Sequence, residues 1–154
     1  MSFLNPQIVE KIKHYCAYQE RCHSEVRYKL VDLGARGEEL EEIIVQLVEE
    51  NYLNEERYAK AIARGKFKYS HWGRVKIKDF LKQKGVSEYC IKKGMKEIDE
   101  NEYFDTIVKM AIKKAHTLQN EPNLWTKQQK IMRYLIQRGF EIPLVQEIVK
   151  DNIS

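Results

Sequence analysis

The chain has 154 residues, which suits one compact domain or a few small units sharing a continuous core. With 43% hydrophobic and 32% charged residues it has the composition of a folded, helix-rich chain rather than a disordered one. Its net charge of +4 conceals three unequal blocks: residues 1–56 carry −6, residues 57–96 carry +11 and residues 97–154 carry −1.

Glycine (7) and proline (3) are too scarce for a fold of many tight hairpins. The cysteines Cys16, Cys22 and Cys90 are odd in number and form no CxxC pair, so no disulfide framework is expected and a reducing compartment fits. The opening MSFLNPQIVEKIKHY lacks the long apolar core of a secretory leader, and no apolar run approaches the roughly 20 residues of a membrane span. The expectation is a cytoplasmic protein without membrane contact.

Helical periodicity runs along almost the whole chain. Ile8, Ile12 and Tyr15 open it, followed by Val26, Leu30 and Leu33, then by Leu40, Ile43, Ile44 and Leu47. Tyr58, Ile62 and Tyr69 mark the next helix, and Ile77, Phe80 and Leu81 the one after. Such spacings bring side chains onto one helical face, and no alternating strand pattern competes with them. Asn54 before Glu55 and Glu56 predicts an N-cap with acids in the positive first turn, and Ser87 before Glu88 predicts another. Asn51 predicts a left-handed turn residue.

The breaks recur. Gly34, Gly85 and Gly139 each end a helix, at intervals of 51 and 54 residues. Four residues before them stand Leu30, Leu81 and Leu135, and eight before stand Val26, Ile77 and Ile131. Six residues after come Leu40, Ile91 and Val145, and ten after come Ile44, Met95 and Val149. Another amphipathic helix precedes each pair, with Tyr15, Tyr58 and Ile107 at apolar positions. This predicts an all-α chain of three tandem three-helix repeats, residues 5–53, 54–100 and 101–154, forming an elongated, curved helical array.

The basic middle is the functional signal. Arg57, Lys60, Arg64 and Lys68, spaced three, four and four, form one stripe on a helix, roughly opposite Tyr58 and Ile62. A one-signed stripe suits carboxylate clusters or phosphates, whereas a merely solubilising face usually alternates in sign. Lys66 belongs to the same basic segment. On the following helix, Trp72 falls off the core side beside Arg74, Lys76 and Lys78. Such a Trp either anchors a partner or a base, or packs against a neighbouring repeat. These nine residues are the candidate partner-binding or DNA-binding set.

Other features carry less. His14, Cys16, Cys22 and His23 match no standard metal-ligand spacing. Glu38, Glu39, Glu41 and Glu42 surround Leu40 as an acidic solvated face. No nucleophile–base motif and no glycine-rich phosphate loop occurs, so no catalytic residue, cofactor or metal is expected.

Tyr52-Leu53-Asn54-Glu55-Glu56-Arg57-Tyr58-Ala59, Arg64, Trp72-Gly73-Arg74-Val75-Lys76-Ile77 and Phe80-Leu81-Lys82-Gln83-Lys84-Gly85-Val86 together resemble the RecX family, bacterial regulators of the RecA recombinase. Arg21-Cys22-His23-Ser24-Glu25-Val26-Arg27-Tyr28-Lys29-Leu30 is similar to the family's Arg-x-x-Ser-Glu-x-x-Leu helix. The resemblance is strongest over residues 21–86 and looser over 101–154. Asn51 stands where the family commonly has Gly, and Asn54-Glu55 where it has Asp-Asp; both keep the turn and cap chemistry. The resemblance implies three three-helix units, no catalysis and docking in the groove of the RecA–single-stranded DNA filament. There it would restrain filament growth, ATP hydrolysis and strand exchange in recombination, DNA repair and the SOS response. The chain itself is expected to be a monomer. The alternative is a helical protein that binds single-stranded or duplex DNA directly. Against it, the second helix of the middle repeat offers few base-reading side chains beyond Gln83 and Arg74.

Overall fold

The computed structural model describes residues 4–154, so the first three residues of the N-terminal stretch weighed above lie outside it. The described residues form nine α-helices and no strand. They are α1 (Pro6–Tyr18), α2 (His23–Asp32), α3 (Gly37–Glu49), α4 (Glu55–Lys68), α5 (Arg74–Gln83), α6 (Glu88–Met95), α7 (Glu100–Thr117), α8 (Leu124–Gln137) and α9 (Ile142–Asn152).

The helix ends follow local chemistry. Asn5 accepts hydrogen bonds from the Gln7 and Ile8 amides, with Pro6 in the first turn of α1. The Asn54 side chain accepts from the Arg57 amide at 2.9 Å, and Ser87 Oγ from the Cys90 amide at 3.3 Å. Asn51 takes the left-handed conformation, with φ 63°. Gly34, Gly85 and Gly139 close α2, α5 and α8 at φ 103°, 80° and 94°. Their amides, or those of the next residue, satisfy carbonyls of the last helical turn, as when Ala35 donates to Leu30 and Val86 to Leu81.

The chain forms two compact units. The first comprises Met1–Ala61 and Leu81–Gly94, the second Ile62–Phe80 and Met95–Ser154. In the first, α1, α2 and α3 pack around Ile12, Val26, Leu30, Ile43 and Leu47, all fully buried. In the second, α7, α8 and α9 pack on one another around Ile107, Ile131, Leu135, Val145 and Ile148. Phe67 and Phe140 each lie against the buried Tyr103 ring, with centroids 5.6 and 5.5 Å apart. Full burial of one such aliphatic side chain contributes about 1.5–3 kcal/mol.

The aligned apolar positions are interior almost throughout. Leu30, Leu81 and Leu135 are fully buried, as are Val26, Ile77 and Ile131. Met95 and Tyr15 are only half-buried. Tyr69, expected on the apolar face of α4, is instead 82% exposed. The helix ends one residue earlier, and its buried face is Tyr58, Ala59, Ala63 and Phe67.

Candidate functional site

The stretch from Ile62 to Phe80 belongs to the second unit and carries seven of the nine candidate residues. Two local features shape it. After α4, the Trp72 amide donates to the Lys66 carbonyl at 3.0 Å and the His71 amide to Phe67 at 3.2 Å. His71 takes φ 55°, which reverses the chain and returns Trp72 to the last turn of α4. The start of α5 is then fixed from the other side: Gly73 donates to the Arg138 carbonyl at 2.8 Å and Val75 to the Gly139 carbonyl at 2.9 Å.

The reversal gathers a basic aromatic cluster. The ammonium groups of Lys66 and Lys76 each lie 4.6 Å from the Trp72 ring centroid. Lys66 also lies 5.2 Å from the Phe80 ring, which meets Trp72 edge-on at 5.7 Å. Trp72 and Phe80 are both half-buried, so the indole is supported from within the unit and still reaches the surface. Each cation–π contact contributes about 0.5–1 kcal/mol at such sites. Lys68 and Lys78, two residues further along α4 and α5, are exposed, and neither has an acidic partner among the described residues.

The remaining candidates are occupied. The stripe on α4 contains no acid in sequence, yet in space most of its charges are paired. In the first unit, Arg57 binds Glu20 at 2.6 Å and donates to the carbonyls of Asn51 and Tyr52. Lys60 pairs with Glu56 at 3.3 Å. In the second unit, Arg64 meets Glu97 at 2.5 Å. Among the described residues, only Lys68 of the four has no acidic partner.

Arg74 is engaged on several sides. Its guanidinium pairs with Glu141 at 3.1 Å and Glu100 at 3.2 Å, and stacks 4.0 Å from the Tyr103 ring centroid. The Arg74 amide donates to the Tyr103 hydroxyl at 3.0 Å, and that hydroxyl donates to Glu141. Burial pushes the Tyr103 phenol well above its ordinary range, and the adjacent Glu141 carboxylate adds to the effect. The hydroxyl therefore stays protonated and available as a donor.

Among the described residues no group of three or more His, Cys, Asp or Glu side chains is arranged to hold a metal. Cys22 instead begins α2, where its amide donates to the Glu25 carboxylate at 3.0 Å and its sulfur contacts Ser24 Oγ at 3.1 Å. No helix of the described residues is long and apolar enough to cross a membrane.

Comparison with known proteins agrees with this architecture. Residues 54–95 match the family model for the second three-helix domain of RecX, and residues 100–149 match that for the third. The chain is 32% identical over 131 residues to a regulatory protein RecX of Clostridium perfringens, covering 84% of this chain and 61% of the relative. It is 28% identical over 141 residues to a regulatory protein RecX of Streptococcus uberis, covering 92% and 53%. The chain thus spans a little over half the length of these curated relatives. The crystal structure of RecX from Lactobacillus salivarius superposes with a TM-score of 0.85 at 25% identity, covering 94% of both chains.

Proposed function

The chain belongs to the RecX family, and on that premise we propose that it is a non-enzymatic regulator, specifically an inhibitor, of the RecA recombinase. In this reading it docks on the RecA–single-stranded DNA filament and slows filament growth, ATP hydrolysis and strand exchange. The observation that carries the docking surface is the Trp72 cluster, where the Lys66 and Lys76 ammonium groups lie against a half-buried indole supported by Phe80.

The chemistry favours an anionic partner surface. Lysines lacking an internal acid keep their full field outside the protein and draw a complementary surface toward them. Trp72 is already held by Phe80 and two ammonium groups, so little side-chain freedom is lost on binding. A partly exposed Trp supported from within its own unit is the type of side chain enriched at binding hot spots. Arg57, Lys60, Arg64 and Arg74, whose charges are neutralised within their own units, are assigned to holding the fold rather than to contact.

The test is the single-stranded-DNA-dependent ATPase of RecA, titrated with the protein, alongside co-sedimentation with the filament. The expected outcome is binding to the filament with a fall in ATP hydrolysis, both weakening as salt rises. Unchanged hydrolysis together with no co-sedimentation at low salt refutes the reading.

A further inference from the structure

We propose that the groove between α7 and α8 is a second, separate binding site, which takes the sugar–phosphate backbone of a single-stranded nucleic acid. The site lies wholly within the second unit. It is lined by Lys109, Lys113 and Lys114 of α7, by Tyr134 and Arg138 from α8 and its end, and by His71 from the turn after α4. No carboxylate lines it.

The sequence around it is strongly one-sided. Residues 106–140 hold seven lysines and arginines against a single acid, Glu121. That acid is already paired with Lys130, at 3.1 Å. The −1 balance of residues 97–154 hides this, because eight of the nine acids of that block fall outside residues 106–140.

The groove is organised before any ligand arrives. The Lys114 ammonium and the Arg138 guanidinium lie 5.0 and 5.3 Å from the Tyr134 ring centroid, so the aromatic ring holds one cation from α7 and one from the end of α8. Arg138 is fixed further by donating to the Ser70 carbonyl at 3.3 Å. Also on α7, Lys109 and Lys113 are exposed and have no acidic partner among the described residues. They stand one helical turn apart, about 6 Å along the axis. A volume of about 610 Å³ is far more than one inorganic ion needs.

The chemistry selects the occupant. The cations are mostly ammonium groups, and the one guanidinium is already engaged by a carbonyl and a ring. Point charges repeated along a helix suit a chain of evenly spaced phosphates; bidentate carboxylate recognition calls for free arginine forks. Packed helices lie about 8–10 Å apart, so the depression between them admits one backbone and not the full width of a duplex.

Fluorescence anisotropy with a labelled oligothymidylate, without any recombinase present, tests this independently of the filament reading. The double variant Lys109→Glu, Lys113→Glu should bind the strand at least about tenfold more weakly and lower the log–log salt slope by about 1.4, the value for two lost phosphate contacts on a single strand. Its circular dichroism and melting temperature should match the parent, because both side chains are exposed. Lys150→Glu, on exposed α9 surface, should leave affinity and slope unchanged. Parent-like affinity and slope in the double variant overturns the proposal. So does tighter binding of a duplex, or of an oligoglutamate peptide of equal charge, than of the single strand.

Discussion

Gly73 and Gly139 meet backbone to backbone. A Cβ built on Gly73 would stand 2.2 Å from the Gly139 carbonyl carbon, and one built on Gly139 would stand 2.3 Å from Lys76 Cβ. This contact seats the start of α5 on the turn between α8 and α9, and so positions Trp72, the residue before it. The Gly73→Ala substitution should destabilise the fold by about 1–3 kcal/mol or more, since the obstacle is backbone that cannot rotate away. Urea denaturation measures it. Gly65→Ala is the contrast: it lies in α4 with nothing within 4 Å of its added methyl, and should stabilise by up to about 1 kcal/mol. Equal midpoints for the two variants would show that the glycine contact is not tight.

The Arg74–Tyr103–Glu141 network should behave as one structural element. Tyr103→Phe removes the hydroxyl that accepts from the Arg74 amide and donates to Glu141. A loss of about 1–3 kcal/mol is expected, because two groups lose a partner where water is largely excluded. The double-mutant cycle with Glu141→Gln should show coupling, since the two residues share a hydrogen bond. Strict additivity would mean that the network contributes nothing as a unit.

Alkaline pH should unfold the protein early. Burial pushes the Cys16 thiol from its ordinary value of 9 up to about 11, and pushes the Tyr58 and Tyr103 phenols up as well. Each raised group is protonated in the fold after its unfolded counterpart has ionised. For Cys16 the contribution is therefore complete below pH 9 and is lost as pH rises through about 11, and for the two tyrosines it is complete below pH 10 and is lost progressively above it. The melting temperature should fall steadily across that interval, and Tyr103→Phe should flatten the fall. The three cysteines are buried, so a thiol reagent at neutral pH should label none until denaturant is added. Rapid labelling of the native protein would contradict that burial.

Local features of the fold were legible in the sequence. Helix-ending glycines, Asn54 and Ser87 caps and the leucines four residues before each break depend on neighbours within one or two turns, and each stands where periodicity put it. The apolar face of α4 is less legible for a specific reason. Its buried ridge runs through Ala59 and Ala63 to Phe67, and alanine gives little hydrophobic signal. In sequence, Tyr69 therefore mimics a continuation of Tyr58 and Ile62, although it is exposed.

The site was legible only as a concentration of charge. Which cations remain unpaired depends on Glu20, Glu97 and Glu141, which lie 33 to 67 residues from the arginines they bind. No spacing rule reaches that far. The basic groove of the second unit escaped for a different reason, since acids at the two ends of residues 97–154 cancelled it in the average.

Inhibition of the RecA ATPase by charge-reversed protein tests the central claim most directly. Lys68→Glu, Lys78→Glu changes exposed, unpaired lysines and should leave the melting temperature nearly unchanged. Lys66→Glu, Lys76→Glu additionally removes both ammonium groups from Trp72, at a cost of about 1–2 kcal/mol for the two contacts. Circular dichroism confirms that each variant is folded. Each should raise the half-inhibitory concentration by about tenfold or more, equivalent to about 1.4 kcal/mol of lost binding, while Lys150→Glu inhibits like the parent. If both double variants fold and inhibit as well as the parent does, these four lysines are solvated and the contact with the filament lies elsewhere on the chain.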